Sequence, residues 1–250
     1  MSHSPARAER LAALRAEVRA LESAGSAEGR EYLPFGIDEI DSRLAGGGLA
    51  VAALHEAAGA RPGPGDEAAA ALFLAAIAAR RPGTVLWALA RRDLFAPGLA
   101  AAGLAPDRLL YAECGRDEDV LAVMEEGLRH GGLAAVVGEV GRALMPATRR
   151  LQLAAEEGET PALMLRRRHG AGEDPLVIPS AAVTRWRLAC APSSPLPVAG
   201  IGRPRWHLAL ARQRGGAPFD LIVETPDAEA RLALPALSEH RPGAGERRAA

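Results

Sequence analysis

The chain has 250 residues with 30 basic and 31 acidic side chains, which give a formal net charge of −1. Its length is enough to bury one substantial core, so we expect one main domain with small appendages. The balanced charge argues against a chain whose whole surface binds nucleic acid or a membrane. All 30 basic residues are Arg, and this excludes a catalytic lysine and the lysine of a phosphate-binding loop.

The N-terminal segment, residues 1–30, predicts an amphipathic helix followed by a linker. Ser4 is suited to the helix cap and Pro5 to the first turn. Apolar residues then recur at intervals of three, four and three, which places a narrow apolar stripe on one side of the helix. Such a stripe fits either packing on the chain's own domain or docking on a partner. The candidate partner-binding residues are Leu11, Leu14, Val18 and Leu21.

Cysteine use and hydropathy bear on where the protein works. The two cysteines, Cys114 and Cys190, form no disulfide or metal-ligand framework, and we expect no metal. The N-terminus lacks the apolar core of a signal peptide, and no stretch approaches the length that spans a membrane. We therefore expect a cytoplasmic protein with no membrane contact.

Residues 31–234 predict an α/β main domain in which apolar strands alternate with helices. Continuous apolar strands are typical of a mostly parallel sheet covered by helices on both faces. After residue 180, three strands follow each other with only loops between them, which favours an antiparallel extension at one edge. Residues 235–250 lack apolar periodicity and predict a disordered tail. The predicted strands are 51–55, 84–89, 107–111, 133–137, 161–165, 182–189, 206–212 and 219–224, and the predicted helices are 66–81, 94–102, 117–130 and 144–157.

The stretch from Gly59 to Glu67 has the layout of a phosphate-binding loop without its chemistry. Gly59, Gly63 and Gly65 keep the backbone permissive, but Asp66 takes the place of Lys and Glu67 that of Ser or Thr. A carboxylate about 4 Å from a phosphate oxygen repels it by about 4 kcal/mol at an effective dielectric near 20. The helix dipole stabilises a phosphate at the helix N-terminus by only about 0.3–1 kcal/mol. We expect Asp66 to cap its own helix, and the alternative is that the carboxylates gather Mg²⁺.

A string of motifs resembles the RecA superfamily. Residues 37–49 resemble the segment before the RecA phosphate loop, and residues 103–140 resemble the stretch that ends in its magnesium-site strand. Residues 184–189 and 202–224 are similar to one branch, the ImuA family. The resemblance covers residues 31–225. It implies a RecA-like fold and a non-catalytic accessory role in DNA damage-induced mutagenesis and translesion synthesis, with an ImuB-like Y-family polymerase homologue and RecA as partners.

Two further positions depart from the RecA pattern. The magnesium-site strand of RecA proteins ends in Asp, whereas this chain has Gly138 there. Glu139 is next to it, but we expect its side chain to point to the opposite face of the strand. The activating Glu of RecA proteins is replaced by the run from Ala90 to Arg92. Together with the loop, these departures predict a protein without nucleotide, cofactor or ATPase activity.

Two clusters of basic residues are candidate surfaces for DNA or a partner. The first follows the fifth core strand, where RecA proteins have a mobile DNA-contacting loop, and could contact phosphates. The second combines Trp with Arg, which are common interface anchors. The alternatives are a solvated charge cluster for the first and half-buried packing for the Trp residues. The candidates are Arg166, Arg167, Arg168 and His169 in the first cluster, and Arg185, Trp186, Arg187, Arg205 and Trp206 in the second.

The sequence is also compatible with two other functions. A cell-division inhibitor of the SulA type would share the degenerate RecA-like fold and differ in its partner. An atypical ATPase would use Arg61, the only basic residue of the loop, in place of the missing Lys.

Overall fold

The computed structural model describes residues 10, 30–168, 173–194, 196 and 198–235. The apolar stripe predicted for the N-terminal helix, His169 and residues 236–250 of the predicted tail lie outside this part of the chain. The described chain opens with a small antiparallel pair, β1 (Tyr32–Leu33) and β2 (Leu49–Ala50), with a short helix, α1 (Asp38–Asp41), between the two strands.

An eight-stranded sheet forms the centre of the molecule, in the order β10-β9-β8-β3-β7-β6-β4-β5. The strands from β3 to β8 are parallel to one another, and β9 is antiparallel to both of its neighbours. This confirms the predicted α/β class with an antiparallel C-terminal edge. The strands are β3 (Leu54–Gly59), β4 (Val85–Leu89), β5 (Leu109–Glu113), β6 (Ala135–Val140), β7 (Ala162–Arg166), β8 (Thr184–Ala191), β9 (Arg205–Gln213) and β10 (Phe219–Glu224).

Helices cover both faces of the sheet, which therefore has a separate apolar core on each face. Because side chains alternate along a strand, Val137 of β6 joins the core under α2, and Val136 joins the core under α4 and α5. None of the helices in the described residues is long and apolar enough to cross a bilayer. The helices are α2 (Pro64–Ala79), α3 (Ala96–Ala101), α4 (Asp117–Arg129) and α5 (Met145–Glu157), with a 3₁₀ turn at Pro106–Arg108.

The strand that leads into the loop is shifted from its predicted position. We predicted residues 51–55, whereas β3 runs from Leu54 to Gly59 and is buried throughout. Glu56 interrupts the apolar run, and an unpaired carboxylate in a buried strand is unfavourable. Arg166 of β7 and Arg185 of β8 neutralise the Glu56 carboxylate. The local sequence around Glu56 does not predict these ion pairs, because the Arg residues lie far along the chain.

The start of α2 lies directly against the end of β3. A Cβ atom on Gly59 would lie 2.9 Å from the backbone of Asp66 and Glu67, so only glycine allows this approach. Helix α2 begins at Pro64, which is two residues before the predicted start and suits the first turn of a helix. The contact fixes the first turn of α2 at the carboxyl end of the parallel strands, beside β7 and β8.

Candidate functional site

The loop between β3 and α2 is closed by a hydrogen-bonded pair, Arg61 and Asp66. Arg61 donates from Nε to Asp66 Oδ2 at 2.8 Å and from Nη2 to Oδ1 at 2.9 Å. The backbone N–H of Arg61 donates to the same carboxylate at 3.1 Å, and that of Cys190 on β8 donates at 2.8 Å. Asp66 is 5% exposed. The carboxylate therefore accepts hydrogen bonds from two backbone N–H groups, one in the loop and one on β8.

This arrangement corrects the expected role of Asp66. We expected a cap for its own helix, but the residue at the cap position is Gly63, with φ of 131°, and no side chain caps the helix there. Asp66 instead binds the loop to β8. Burial works to raise the pKa of Asp66, but the hydrogen bonds from Arg61 and Cys190 outweigh it, so the pKa lies below its ordinary value. The carboxylate is therefore charged at neutral pH.

A second cluster lies beside the loop, where Arg167 contacts carboxylates from three different elements. It donates from Nε to Glu139 Oε2 at 2.8 Å, from Nη1 to Glu67 Oε2 at 3.1 Å and from Nη2 to Asp93 Oδ1 at 2.7 Å. Burial works to lower the pKa of Arg167, but the surrounding carboxylates, above all Glu139, raise it above its ordinary value. Arg167 therefore stays protonated and neutralises much of the cluster.

Arg167 connects the first turn of α2 to the end of β6. The sequence places Glu67 at the position where a phosphate loop would have Ser or Thr, which stays a prediction. Glu139 belongs to β6, which β7 separates from β3, and its carboxylate and that of Glu67 contact the same guanidinium. Within the described part of the chain, no three His, Cys, Asp or Glu residues are grouped so that they could hold a metal ion.

The structure corrects the expected orientation of the end of β6. Glu139 points to the face of α2, where it is 3% exposed and accepts a hydrogen bond of 2.8 Å from Trp87 Nε1. Gly138 faces the other way, and a Cβ atom there would lie 2.1 Å from Met124 Sδ on α4. The residue that faces the loop is therefore a Glu, and Gly138 is a packing position.

The first predicted basic surface is largely internal. Arg166 is fully buried and donates from Nη1 to Glu56 Oε1 at 3.0 Å. Arg185 donates from Nε to the other oxygen of the same carboxylate at 2.6 Å, and Ser180 donates its hydroxyl at 2.7 Å. This cluster contradicts the expectation of a solvated loop at Arg166, because a buried carboxylate requires its cations. Glu56 was missed in the sequence analysis, and its signal was a lone carboxylate in a buried strand in which His55 is the other polar side chain.

Arg168 also binds the protein itself. Its Nη2 donates to the backbone carbonyls of Gly59 at 3.1 Å and Ala60 at 2.8 Å, and its Nη1 donates to that of Glu173 at 2.9 Å. The guanidinium therefore ties the chain after β7 to the end of β3. Of the predicted basic run, only His169 falls outside the described residues.

The second predicted surface is part of the core. Trp186 is fully buried, Trp206 is 3% exposed, and both belong to the core under α2. We expected half-buried packing or an interface, and the aromatic cluster of Trp186 with Phe35 and Phe73 explains the deeper burial. The flanking guanidiniums are also engaged, since Arg187 pairs with Asp174, and Arg205 donates to Pro192 O at 2.6 Å.

A cleft of about 440 Å³ opens at the carboxyl ends of the parallel strands, next to the Arg167 cluster. Its rim carries both signs of charge. Its lining combines basic and acidic side chains, among them Arg91, Arg116, Arg142, Asp117 and Glu118. A duplex or single strand of nucleic acid is held by uniformly basic surfaces, and this cleft does not provide one.

The fold and the site define an α/β protein with a mostly parallel sheet, in which the loop between β3 and α2 is closed by Arg61 and Asp66 and lies beside the ion pairs of Arg167. No family model matches the sequence. The chain is similar to Protein ImuA of Caulobacter vibrioides in each of two strains, with 37% identity over 214 residues, which is 82% of this chain and 88% of the relative. The chain belongs to the ImuA family.

Proposed function

We propose that the protein is a non-catalytic accessory factor in DNA damage-induced mutagenesis and translesion synthesis, and that it acts by binding other proteins. Membership of the ImuA family supports a role in the mutagenesis accessory system. The observation that carries the non-catalytic part is the closed loop, in which Asp66 holds Arg61 and the N–H of Cys190.

Two costs oppose nucleotide binding at this loop. A phosphate would have to displace the Asp66 carboxylate from its donors or lie beside it, and two such anions about 4 Å apart repel by about 4 kcal/mol at an effective dielectric near 20. A magnesium ion would have to displace Arg167 from Glu67 and Glu139. The pairs of Arg167 with Glu67 and Glu139 are largely shielded from water, and breaking such pairs is strongly unfavourable. The Arg61 side chain is exposed, so its pair with Asp66 contributes less.

The proposed partners are an ImuB-type polymerase homologue and RecA. Protein partners are favoured over DNA because the basic residues that could hold phosphates are paired internally. Arg166 and Arg185 bind Glu56, and Arg167 binds Glu139. Direct DNA contact through this basic run is therefore not part of the proposal.

The two other functions receive less support. Nothing in the described site favours a division inhibitor of the SulA type. The similarity to an ImuA protein favours a role in the mutagenesis accessory system. An ATPase that uses Arg61 would first have to release it from Asp66, with which it forms two side-chain hydrogen bonds.

The experiment has a genetic arm and a binding arm. We expect deletion of the gene to reduce mutation after DNA damage and the wild-type gene to restore it. Purified protein should bind the ImuB-type homologue or RecA, and its affinity for the homologue should be the same with and without Mg²⁺-ATP. Normal induced mutagenesis in the deletion strain, or binding to the homologue that requires ATP, would contradict the proposal.

A further inference from the structure

One edge of the eight-stranded sheet has no neighbouring strand in the described part of the chain. Strand β5 is the last strand on its side of the sheet and pairs with β4 alone. At the opposite edge, the chain covers part of β10 itself, because the N–H of Glu224 donates to Ala233 O at 2.8 Å. An open edge presents unpaired backbone N–H and C=O groups, which a second extended strand pairs in register. The backbone of β5 therefore fits an added strand.

The hydrogen bonds to β4 show which backbone groups of β5 face the open edge. The N–H of Cys114, the residue after β5, donates to Leu89 O on β4 at 2.8 Å. The backbone groups of successive residues point to alternate sides of a strand. The N–H and C=O groups of Leu109, Tyr111 and Glu113 therefore point away from β4, towards the open edge.

The side chains of β5 leave apolar surface exposed on both faces of the sheet. Leu110 is 54% exposed and Tyr111 is 42% exposed. Side chains alternate along a strand, so Tyr111 lies on the face of Leu109, which packs against the core under α2, and Leu110 lies on the face of Ala112, which packs against the other core. Charged residues or Pro commonly protect an edge strand, and residues 109–112 contain neither. A strand with consecutive apolar residues would extend both cores.

Strand β5 is itself such a strand, and it is complementary to a second copy of itself. In an antiparallel pair, opposed residues whose backbone groups face each other exchange both of their N–H···O bonds. When Tyr111 lies opposite Tyr111 of the second copy, Leu109 lies opposite Glu113. Every outward-facing N–H and C=O group of both strands then has a partner, and no other antiparallel register of the two strands achieves this.

The charges at the ends of β5 favour the same register. A shift that places Leu110 opposite itself also sets Asp107 of each copy opposite Glu113 of the other, and like charges directly opposite each other are destabilising. With Tyr111 at the centre, Asp107 lies opposite Gly115, and no two carboxylates are opposed. Hydrogen bonding and charge therefore select one arrangement of the two copies.

We propose that two copies of this chain associate through β5, in an antiparallel pair centred on Tyr111 that joins their sheets into one. The contact is isologous, as in the two-fold dimers that are the commonest oligomers. One strand edge buries less than a standard interface, which covers about 800 Å² on each partner, so the dimer is reversible and depends on concentration. The inference does not depend on the proposed function, because it concerns only contact between copies of the chain.

Analytical ultracentrifugation of the full chain over a hundredfold range of concentration tests the dimer. We expect the mass to rise from that of one chain to that of two. Tyr111→Lys and Tyr111→Glu each place like charges opposite each other at the centre of the pair, so each variant alone should associate at least tenfold more weakly. An equimolar mixture of the two variants should recover association, since opposite charges then face each other.

The matched control is Ile222→Lys, which places a charge on the other edge strand. Ile222 is 37% exposed on β10, close to the exposed fraction of Tyr111. This variant should associate like the wild type. Thermal melts show whether each variant keeps the fold.

Amide hydrogen exchange of the wild type tests the strand pairing without any substitution. The N–H groups of Tyr111 and Glu113 should exchange at least tenfold more slowly at concentrations at which the dimer forms. The N–H of Ala112 points to β4 and should change little. This measurement decides the question if the charged variants do not fold.

Three results would overturn the proposal. A wild type that stays monomeric at every concentration would exclude the dimer. A dimer that persists in Tyr111→Lys, or one that mixing the two charged variants does not restore, would place the contact at another register or surface. Protection of Tyr111 and Glu113 that appears only after the ImuB-type homologue or RecA is added would mean that the edge pairs with a strand of that protein.

Discussion

Arg167 and Glu139 form an ion pair with 2.8 Å between Nε and Oε2, at the end of the strand that faces the loop. The same guanidinium reaches Glu67 in the first turn of α2. The guanidinium therefore connects the end of β6 to the first turn of α2. The positive charge in this part of the molecule comes from the chain itself, and its removal leaves carboxylates without a counter-charge.

We predict that Arg167→Ala destabilises the fold. Three carboxylates would then lose their shared cation, and loss of one partner of a mostly buried ion pair costs about 3 kcal/mol. For a domain of this size, that cost lowers the melting temperature by about 6–12 °C. Thermal melts of the variant and the wild type check this, and equal melting temperatures would show that the ion pairs of Arg167 do not stabilise the fold.

We predict that Arg166→Ala lowers stability strongly, although the residue belongs to a run that resembles a basic surface. Arg166 is fully buried against Glu56, and its loss leaves that carboxylate with one cation, Arg185, and the hydroxyl of Ser180. The expected cost is about 3–5 kcal/mol, which lowers the melting temperature by about 6–20 °C. Arg149→Ala is the matched control, because Arg149 is exposed on α5. Equal melting temperatures for the two variants would contradict the buried cluster.

We predict that Asp66→Ala loosens the loop, whereas Asp66→Asn does so less. Alanine removes the acceptor for the N–H groups of Arg61 and Cys190, and an unsatisfied backbone donor costs about 1–3 kcal/mol. Asparagine keeps one acceptor oxygen and loses the charge that holds the Arg61 guanidinium. Amide hydrogen exchange at Cys190 measures the effect directly. Unchanged protection in the alanine variant would exclude the bridge between loop and β8.

We predict that stability falls between neutral and acid pH because of His55. Burial lowers the pKa of His55 from 6.5 to about 4, against a smaller opposing effect of its hydrogen bond to Ala50 O. Between these values the unfolded chain binds a proton that the folded chain does not, so the free energy of unfolding decreases as the pH falls. A shift of that size corresponds to about 3 kcal/mol at pH 4.

Urea denaturation at a series of pH values checks the His55 prediction. His55→Gln is the control, since Gln does not titrate and other groups titrate equally in both proteins. Its stability should decrease less than that of the wild type between pH 6.5 and pH 4. Parallel curves for the two proteins would mean that His55 is accessible to protons.

The sequence predicted the elements well where the pattern is local. The apolar strands and the Ala-rich helix α2 were found because burial on both faces leaves a continuous apolar run. The interpretation of Asp66 and Glu67 as replacements within a phosphate-binding loop stays a prediction. The strand before the loop was placed too early because Glu56 was taken as the end of a buried run.

The side-chain pairings could not be predicted in the same way. Glu56, Arg166 and Arg185 lie far apart in sequence and meet only because β3 lies between β7 and β8. The face of Glu139 depended on where β6 begins and ends, and a shift of one residue reverses every side chain in a strand. A run of Arg residues after a strand is the same sequence whether it faces water or a buried carboxylate.

The loop between β3 and α2 is closed by the side chains of Arg61 and Asp66, and we propose that it does not bind a nucleotide. This can be tested by a calorimetric titration of the wild-type chain with ATP in the presence of Mg²⁺. We expect no saturable heat up to millimolar ATP. A dissociation constant in the micromolar range would show that Asp66 and Arg167 exchange their partners for a nucleotide and its metal, and it would contradict the proposal.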